Sequence, residues 1–155
     1  MKQYFNTTLR NLEYRLRKFR DILDEELKNE IMRHEDVILD MVRSQLYDEG
    51  ITGKGVSIMS YEPYAVRTIK RKIKKGQPYD RVTLKDTGAF YDSLFIEFDE
   101  KGFYVTSTDD KAKFLLAKYG SPIFRLTDEN LGILLREYIR PELAEKLKSR
   151  ITNGA

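Results

Sequence analysis

The sequence predicts an α+β fold, with a long N-terminal helix, a small antiparallel β-sheet (one hairpin) packed against helices, and a C-terminal helix. Three observations carry that reading. Apolar residues recur every three or four positions from Leu9 to Val42, with no Pro or Gly before Gly50. Two β-branched and aromatic runs flank "DEKG" at residues 99–102, and a helical pattern returns in "LTDENLGILLREYIRPELAEKLKSRI".

The first element is marked by Leu9, Leu12, Leu16, Phe19 and Leu23, then Leu27, Ile31, Ile38, Met41 and Val42, which form one apolar stripe of an amphipathic helix. It runs from about Thr7 to Tyr47, with Gly50 as its stop. A helix of about forty residues reaches roughly 60 Å. That exceeds the body of a small domain, for which about 100 residues give a radius of gyration of about 13 Å. Part of it must therefore project, pack on another subunit, or bend back at a break near Lys28 to Glu30. The expected organisation is a long helix or helix pair over 1–47 and an α+β core over 48–155, forming a single structural unit. Leu9, Leu16 and Phe19 are candidate interface residues on the stripe. His34, the one imidazole, falls on or beside it and reads as a packing residue before it reads as a catalytic base.

Next, "DEGITGKGVSIMS" is a loop with three glycines. It contains Gly53-Lys54 but fails as a phosphate loop, because no Gly stands five positions before Gly53 and Gly55 occupies the place of the magnesium-binding Ser or Thr. A short helix is expected from Glu62 to Lys75, with Pro63 in its first turn. Its "VRTIKRKIKKG" places Arg67, Lys70, Arg71 and Lys74 along one side, a stripe suited to phosphates or to an acidic partner. The hairpin strands are expected near Ser93–Phe98 and Phe103–Ser107. A helix opening on Asp109 or Asp110 closes at Gly120, and the final helix is capped by Thr127 and kinked or divided by Pro141.

Composition bounds the function. The 155 residues suffice for one domain with a core, and the 41% hydrophobic content argues against disorder. No apolar run approaches the roughly 18 residues of a membrane span, and the N-terminus lacks the apolar core of a signal peptide. The absence of Cys removes disulfides, thiol nucleophiles and thiolate metal sites, and no metal or cofactor is expected. A net charge of +3 does not by itself imply nucleic acid.

The stretch "TLKDTGAFYDS" spells Asp86-Thr87-Gly88, the tripeptide that carries the catalytic carboxylate of aspartic proteases. That chemistry needs two carboxylates sharing a proton, hence a dimer here, on loops at the ends of buried strands. Lys85 stands where an apolar strand residue belongs, and the only candidate for a second signature is Leu131-Gly132, inside a helical segment. The alternative is structural: Asp86 and Thr87 bond nearby backbone N–H groups, Gly88 turns the chain, and "AFYDSLF" opens as a helical turn with Ala89, Phe90 and Leu94 on one face.

The run "VTLKDTGAFYDSLFIEF", followed by "FYVTSTDDKAKFLLAKYGSPIF" and a terminal helix, resembles the tailed-phage head–tail connector, neck or tail-completion (virion morphogenesis) proteins. Leu84, Asp86, Thr87 and Gly88 match that family's turn, Ser93 its small residue, Gly120 its helix end and Phe124 its later aromatic. The region from "SQLYDEGITGKG" through "KKGQPYDRVTLKDTG" is similar to the version in phages of Bacteroidales, including crAss-like phages. The resemblance spans roughly Ser44 to Leu143 and departs at Ser121, where Thr is usual, and at Lys118, where an acid is common. It implies a non-enzymatic virion protein that forms a homo-oligomeric ring joining the portal complex to the tail, made in the bacterial cytoplasm and resident in the virion neck. Tyr61, Tyr64 and Tyr119 join the stripe as candidate contacts with neighbours, with the basic stripe touching channel DNA at most transiently. A DNA-binding protein using residues 67–75 is the alternative, and a dimeric peptidase through Asp86 a remote one.

Overall fold

In chain order the elements are α1 (Lys2–Arg33), α2 (Glu35–Ser44), a π-helical turn (Gln45–Glu49), a 3-10 turn (Ile58–Ser60), α3 (Val66–Lys74), α4 (Ala89–Asp92), β1 (Leu94–Asp99), β2 (Gly102–Ser107), α5 (Lys111–Tyr119), a 3-10 turn (Ser121–Phe124), α6 (Asp128–Ile133), a π-helical segment (Leu134–Ile139) and α7 (Arg140–Asn153). They come from a computed structural model that describes residues 2–153, with side chains for 8–150. The fold is α+β, with a long N-terminal helix, one two-stranded antiparallel sheet and a C-terminal helix.

The chain divides into two compact units, one of residues 1–34 with 135–155 and one of residues 35–134. This division differs from the expected boundary after residue 47. The helical stripe does break, but at His34 and not near Lys28 to Glu30. Arg33 ends α1 while Glu35 and Asp36 open α2, so each charge suits the dipole of its own helix terminus. The apolar residues after the break, Ile38, Leu39, Val42 and Leu46, belong to the core of the second unit.

In the first unit, α1 packs on α7. Glu26 and Glu30 are buried on α1 and meet cations of α7: Arg150 Nη2 lies 2.5 Å from Glu26, and Lys146 pairs with Glu30. Arg33 completes the contact on Glu142 at 3.0 Å. His34 is half-buried, donates Nδ1–H to the Glu30 carbonyl at 3.0 Å and meets Tyr138 edge-on, as a packing residue does. Pro141 does not divide the last helix at its own position. The irregularity lies upstream, where Leu134–Ile139 is π-helical, and α7 then runs through Pro141 in its first turn, where a missing N–H costs least.

In the second unit, Ile38, Val42, Leu46, Ile58, Val82, Ile123 and Leu134 are almost wholly buried. The hairpin closes on this core through Leu94, Ile96 and Val105, in a register that pairs Ile96 with Val105 and Asp99 with Gly102. Its strands run one residue further toward the tip than expected, because Asp99 Oδ1 accepts the Lys101 N–H at 2.7 Å and Gly102 takes φ +140°. Glu35 ties the hairpin to α2, its carboxylate accepting the Ile96 N–H at 3.0 Å. Helix α5 is opened by Asp109, whose Oδ1 accepts the Lys111 N–H at 2.8 Å. It is ended by Gly120 at φ +77°, ψ 174°, a conformation confined almost wholly to glycine. The glycine loop is also structural. A Cβ on Gly53 would fall 2.5 Å from the Arg125 carbonyl oxygen, so only glycine lets the loop lie against residues 122–125, where its N–H donates to the Pro122 carbonyl at 2.8 Å.

Gln45 is fully buried at the junction of these parts. Its Nε2 donates to the Arg125 carbonyl and its Oε1 accepts the Thr127 N–H, both at 2.9 Å. Thr127 then caps α6 by accepting the Asn130 N–H, so a single amide fixes where that helix starts. Gln45→Ala removes both bonds and leaves the part-buried Arg125 carbonyl and Thr127 N–H without this partner, and is expected to cost about 2–4 kcal/mol. Urea unfolding would measure it, and a loss within about 0.5 kcal/mol would contradict the role.

Candidate functional site

The two features singled out in the sequence, the Asp-Thr-Gly turn and the basic segment, form one structure. Helix α3 begins at Val66, later than expected, because residues 62–65 are not helical, Ala65 is extended and Tyr64 turns inward. There the Tyr64 hydroxyl accepts the Thr83 N–H at 3.0 Å, and its ring lies under the Lys72 ammonium, 5.1 Å from centroid to nitrogen.

Lys72 is the buried member of the basic run, 5% exposed. It lies on the opposite side of α3 from Arg67, Lys70, Arg71 and Lys74. Its ammonium donates to the Lys85 carbonyl at 2.9 Å, to Thr83 Oγ1 at 3.2 Å and to Gln77 Oε1 at 3.4 Å, using all three of its donors. Gln77 extends the network by donating to the Asp86 carbonyl at 2.9 Å. Leu84, at the centre of this cradle, has φ +55°, a left-handed conformation costing roughly 1–2 kcal/mol for a residue with a Cβ. That conformation aims the Lys85 carbonyl at Lys72 while the Lys85 N–H reaches Thr83 Oγ1 at 3.3 Å. Tyr91 closes the far side by donating its hydroxyl to the Thr83 carbonyl, and burial pushes that phenol well above its usual range. The Lys85 ammonium rests over the Tyr47 ring at 4.8 Å.

The Asp86 carboxylate takes the Lys75 ammonium at 2.7 Å, which corrects the expectation that it bonds backbone N–H groups. The Lys75 hydrogen bond holds the acid below its usual range. Thr87 does bond backbone, accepting the Ala89 N–H at 3.4 Å. Gly88 has φ +105° just before α4, a turn that requires glycine. On α4 the buried face is Phe90 and Tyr91, continued by Leu94, while Ala89 faces out, contrary to expectation.

The four outer cations, Arg67, Lys70, Arg71 and Lys74, are exposed and form no ion pair among the described residues. Beside them Val66 and Ile73 are also exposed, so the outward side of α3 is basic with an apolar margin. The tyrosines divide. Tyr119 is buried and Tyr64 is half-buried, with its hydroxyl bonded to the Thr83 N–H and its ring under Lys72; Tyr61 is 47% exposed and meets Tyr119 edge-on. Lys118 pairs with Glu62 at 2.8 Å. On α1, Leu9, Leu12, Leu16 and Phe19 are 50%, 51%, 60% and 41% exposed, with no described residue covering them.

Sequence reasoning missed Lys72 and Gln45. Lys72 had a signal, since helical spacing left it off the stripe formed by its four neighbours. Gln45 had none. No helix among the described residues is long and apolar enough to cross a membrane. Neither a family model, nor a curated protein, nor a solved structure matches the chain.

Lys72→Met leaves the Lys85 carbonyl and its companions unpaired and should cost about 2–4 kcal/mol in denaturant unfolding, whereas Lys70→Met and Lys74→Met should stay within about 0.5 kcal/mol. Equal effects at the three positions would contradict the division. Asp86→Asn should remove at most about 1 kcal/mol, because the ion pair is solvent-screened. Since the folded acid titrates below its unfolded value of 3.8, that contribution is present above this value and is lost as pH falls through the lower folded one. Stability curves of wild type and Asp86→Asn should therefore converge in acid, and a gap that widens there would refute the pairing.

Proposed function

We propose that this chain is a non-catalytic structural protein of a tailed bacteriophage, assembling as a ring at the head–tail junction and joining the portal complex to the tail. It would be made in the host cytoplasm and reside in the virion neck. The observation that carries the reading is the open apolar stripe of α1. Four large side chains at helical spacing, each at least 41% exposed, form a continuous seam that water disfavours and another protein would cover. The resemblance over Ser44 to Leu143 supplies the kind of assembly. The turn from Thr83 to Gly88, on which that resemblance chiefly rests, is locked by Lys72, Gln77 and Tyr91, as suits a rigid building block.

The second reading is a DNA-binding protein using residues 67–75, favoured by the four cations on the outward side of α3. Phosphate contacts from these side chains would give sequence-independent, salt-sensitive binding.

Mass measurement in solution and particle imaging, alone and with portal complexes, test the main reading. Ring-sized assemblies or a portal-bound form are expected, and a monomer under both conditions would overturn it. For DNA, charge reversal at Lys70 and Lys74 should abolish a low-salt mobility shift, and the absence of any shift in the unaltered chain would remove that reading.

A further inference from the structure

The spacing along α1 is a strict alternation of three and four: Leu9, Leu12, Leu16, Phe19, Leu23, Glu26, Glu30. This is the seam of a coiled coil, one continuous line down the helix. Its last two positions are the buried glutamates, covered by the basic helix α7 through Arg150 and Lys146. Helix α7 runs antiparallel to α1, with Glu142 against Arg33, Lys146 against Glu30 and Arg150 against Glu26. Among the described residues, the contact of α7 nearest the N-terminal half of α1 is Arg150 on Glu26. The seam continues beyond that point through Leu9, Leu12, Leu16 and Phe19, which no described residue covers.

The charge of α1 reverses at the same place. Residues 8–20 hold Arg10, Arg15, Arg17, Lys18 and Arg20 against Glu13 alone, whereas residues 21–30 hold five acids against Lys28. The acidic half is covered by a helix that brings cations. We infer that the basic half, Leu9 to Phe19, is a docking seam for an amphipathic helix of another protein that carries acidic residues beside its apolar face.

A second copy of α1 fits this seam poorly in the three registers that align at least four of its apolar layers. Parallel and in register, Arg15, which precedes Leu16, meets Arg20 of the other copy, which follows Phe19, and does so twice. Antiparallel with Leu12 opposite Leu16, Glu13 meets Glu13 and Arg15 meets Arg15. Antiparallel one heptad deeper, with Leu16 opposite Phe19, Glu13 does meet Arg20, but Leu9 then lands on Glu26, where α7 already lies. An acidic helix avoids all three conflicts. The inference deepens the assembly reading by naming a partner's chemistry, and it can fail while a ring still forms through other surfaces.

The test uses the full chain and two synthetic amphipathic peptides of about three heptads, with Leu at the seam positions and either Glu or Lys at the flanking ones. Fluorescence anisotropy should show the acidic peptide binding at least about tenfold more tightly than the basic one at low salt, with the preference shrinking as salt rises. Leu12→Asp with Leu16→Asp should abolish binding. Arg15→Glu with Arg20→Glu should shift the preference to the basic peptide, which keeps the test open if the first variant loses helix by circular dichroism. Failure of both peptides to bind, or equal binding of the two, would overturn the inference. So would a sedimenting oligomer of the unaltered chain that the Leu12→Asp, Leu16→Asp variant lacks, because a second copy would then occupy the seam.

Discussion

A buried ammonium must have every proton accepted, and the second unit of this protein is arranged around that requirement at Lys72. Three oxygens converge on it from Gln77, Thr83 and Lys85, and none belongs to a carboxylate. The backbone between Thr83 and Asp86 bends to supply them, which accounts for the left-handed Leu84. Tyr64 and Tyr91 fill in around the bend, drawing residues 62–65 out of helical form and setting the start of α4. The Asp-Thr-Gly turn is a consequence of this network. Its acid points outward to Lys75 and its glycine allows the chain to leave the cradle for the hairpin.

The same constraint sorts the basic segment. A run of cations in sequence suggests one electrostatic surface, yet one face of a nine-residue helix must be buried. Lys72 occupies that face together with half-buried Thr68 and Ile69. The charges that remain outside are fewer than the sequence suggests and more clearly confined to one side. Any partner of α3 meets Arg67, Lys70, Arg71 and Lys74 on a support that Lys72 fixes from beneath.

How far the sequence revealed this depended on whether a residue's role was periodic or long-range. The hairpin, the stripe of α1, the glycine that ends α5 and the Thr127 cap are local and were all legible. The break at His34 is not legible because the apolar stripe continues through it, with Ile31 and Ile38 lying in different units. Tyr119 stands among the candidate contact aromatics, but helical position alone does not show which face of α5 is covered. Gln45 bonds residues 80 and 82 positions away, and no pattern around it distinguishes it from any polar helix residue. The turn at Asp86 is legible but the partner of its carboxylate is not, since Lys75 is eleven residues distant and follows directly on α3.

The separation of one internal cation from an external set is tested most directly by proton exchange at the lysine ammonium groups. Nuclear magnetic resonance of the lysine side-chain nitrogens should show Lys72 ammonium protons protected from solvent exchange, with through-bond couplings to its acceptors, while those of Lys70 and Lys74 exchange too fast to observe. Equally rapid exchange at all three would contradict the cradle, and with it the physical origin of the turn.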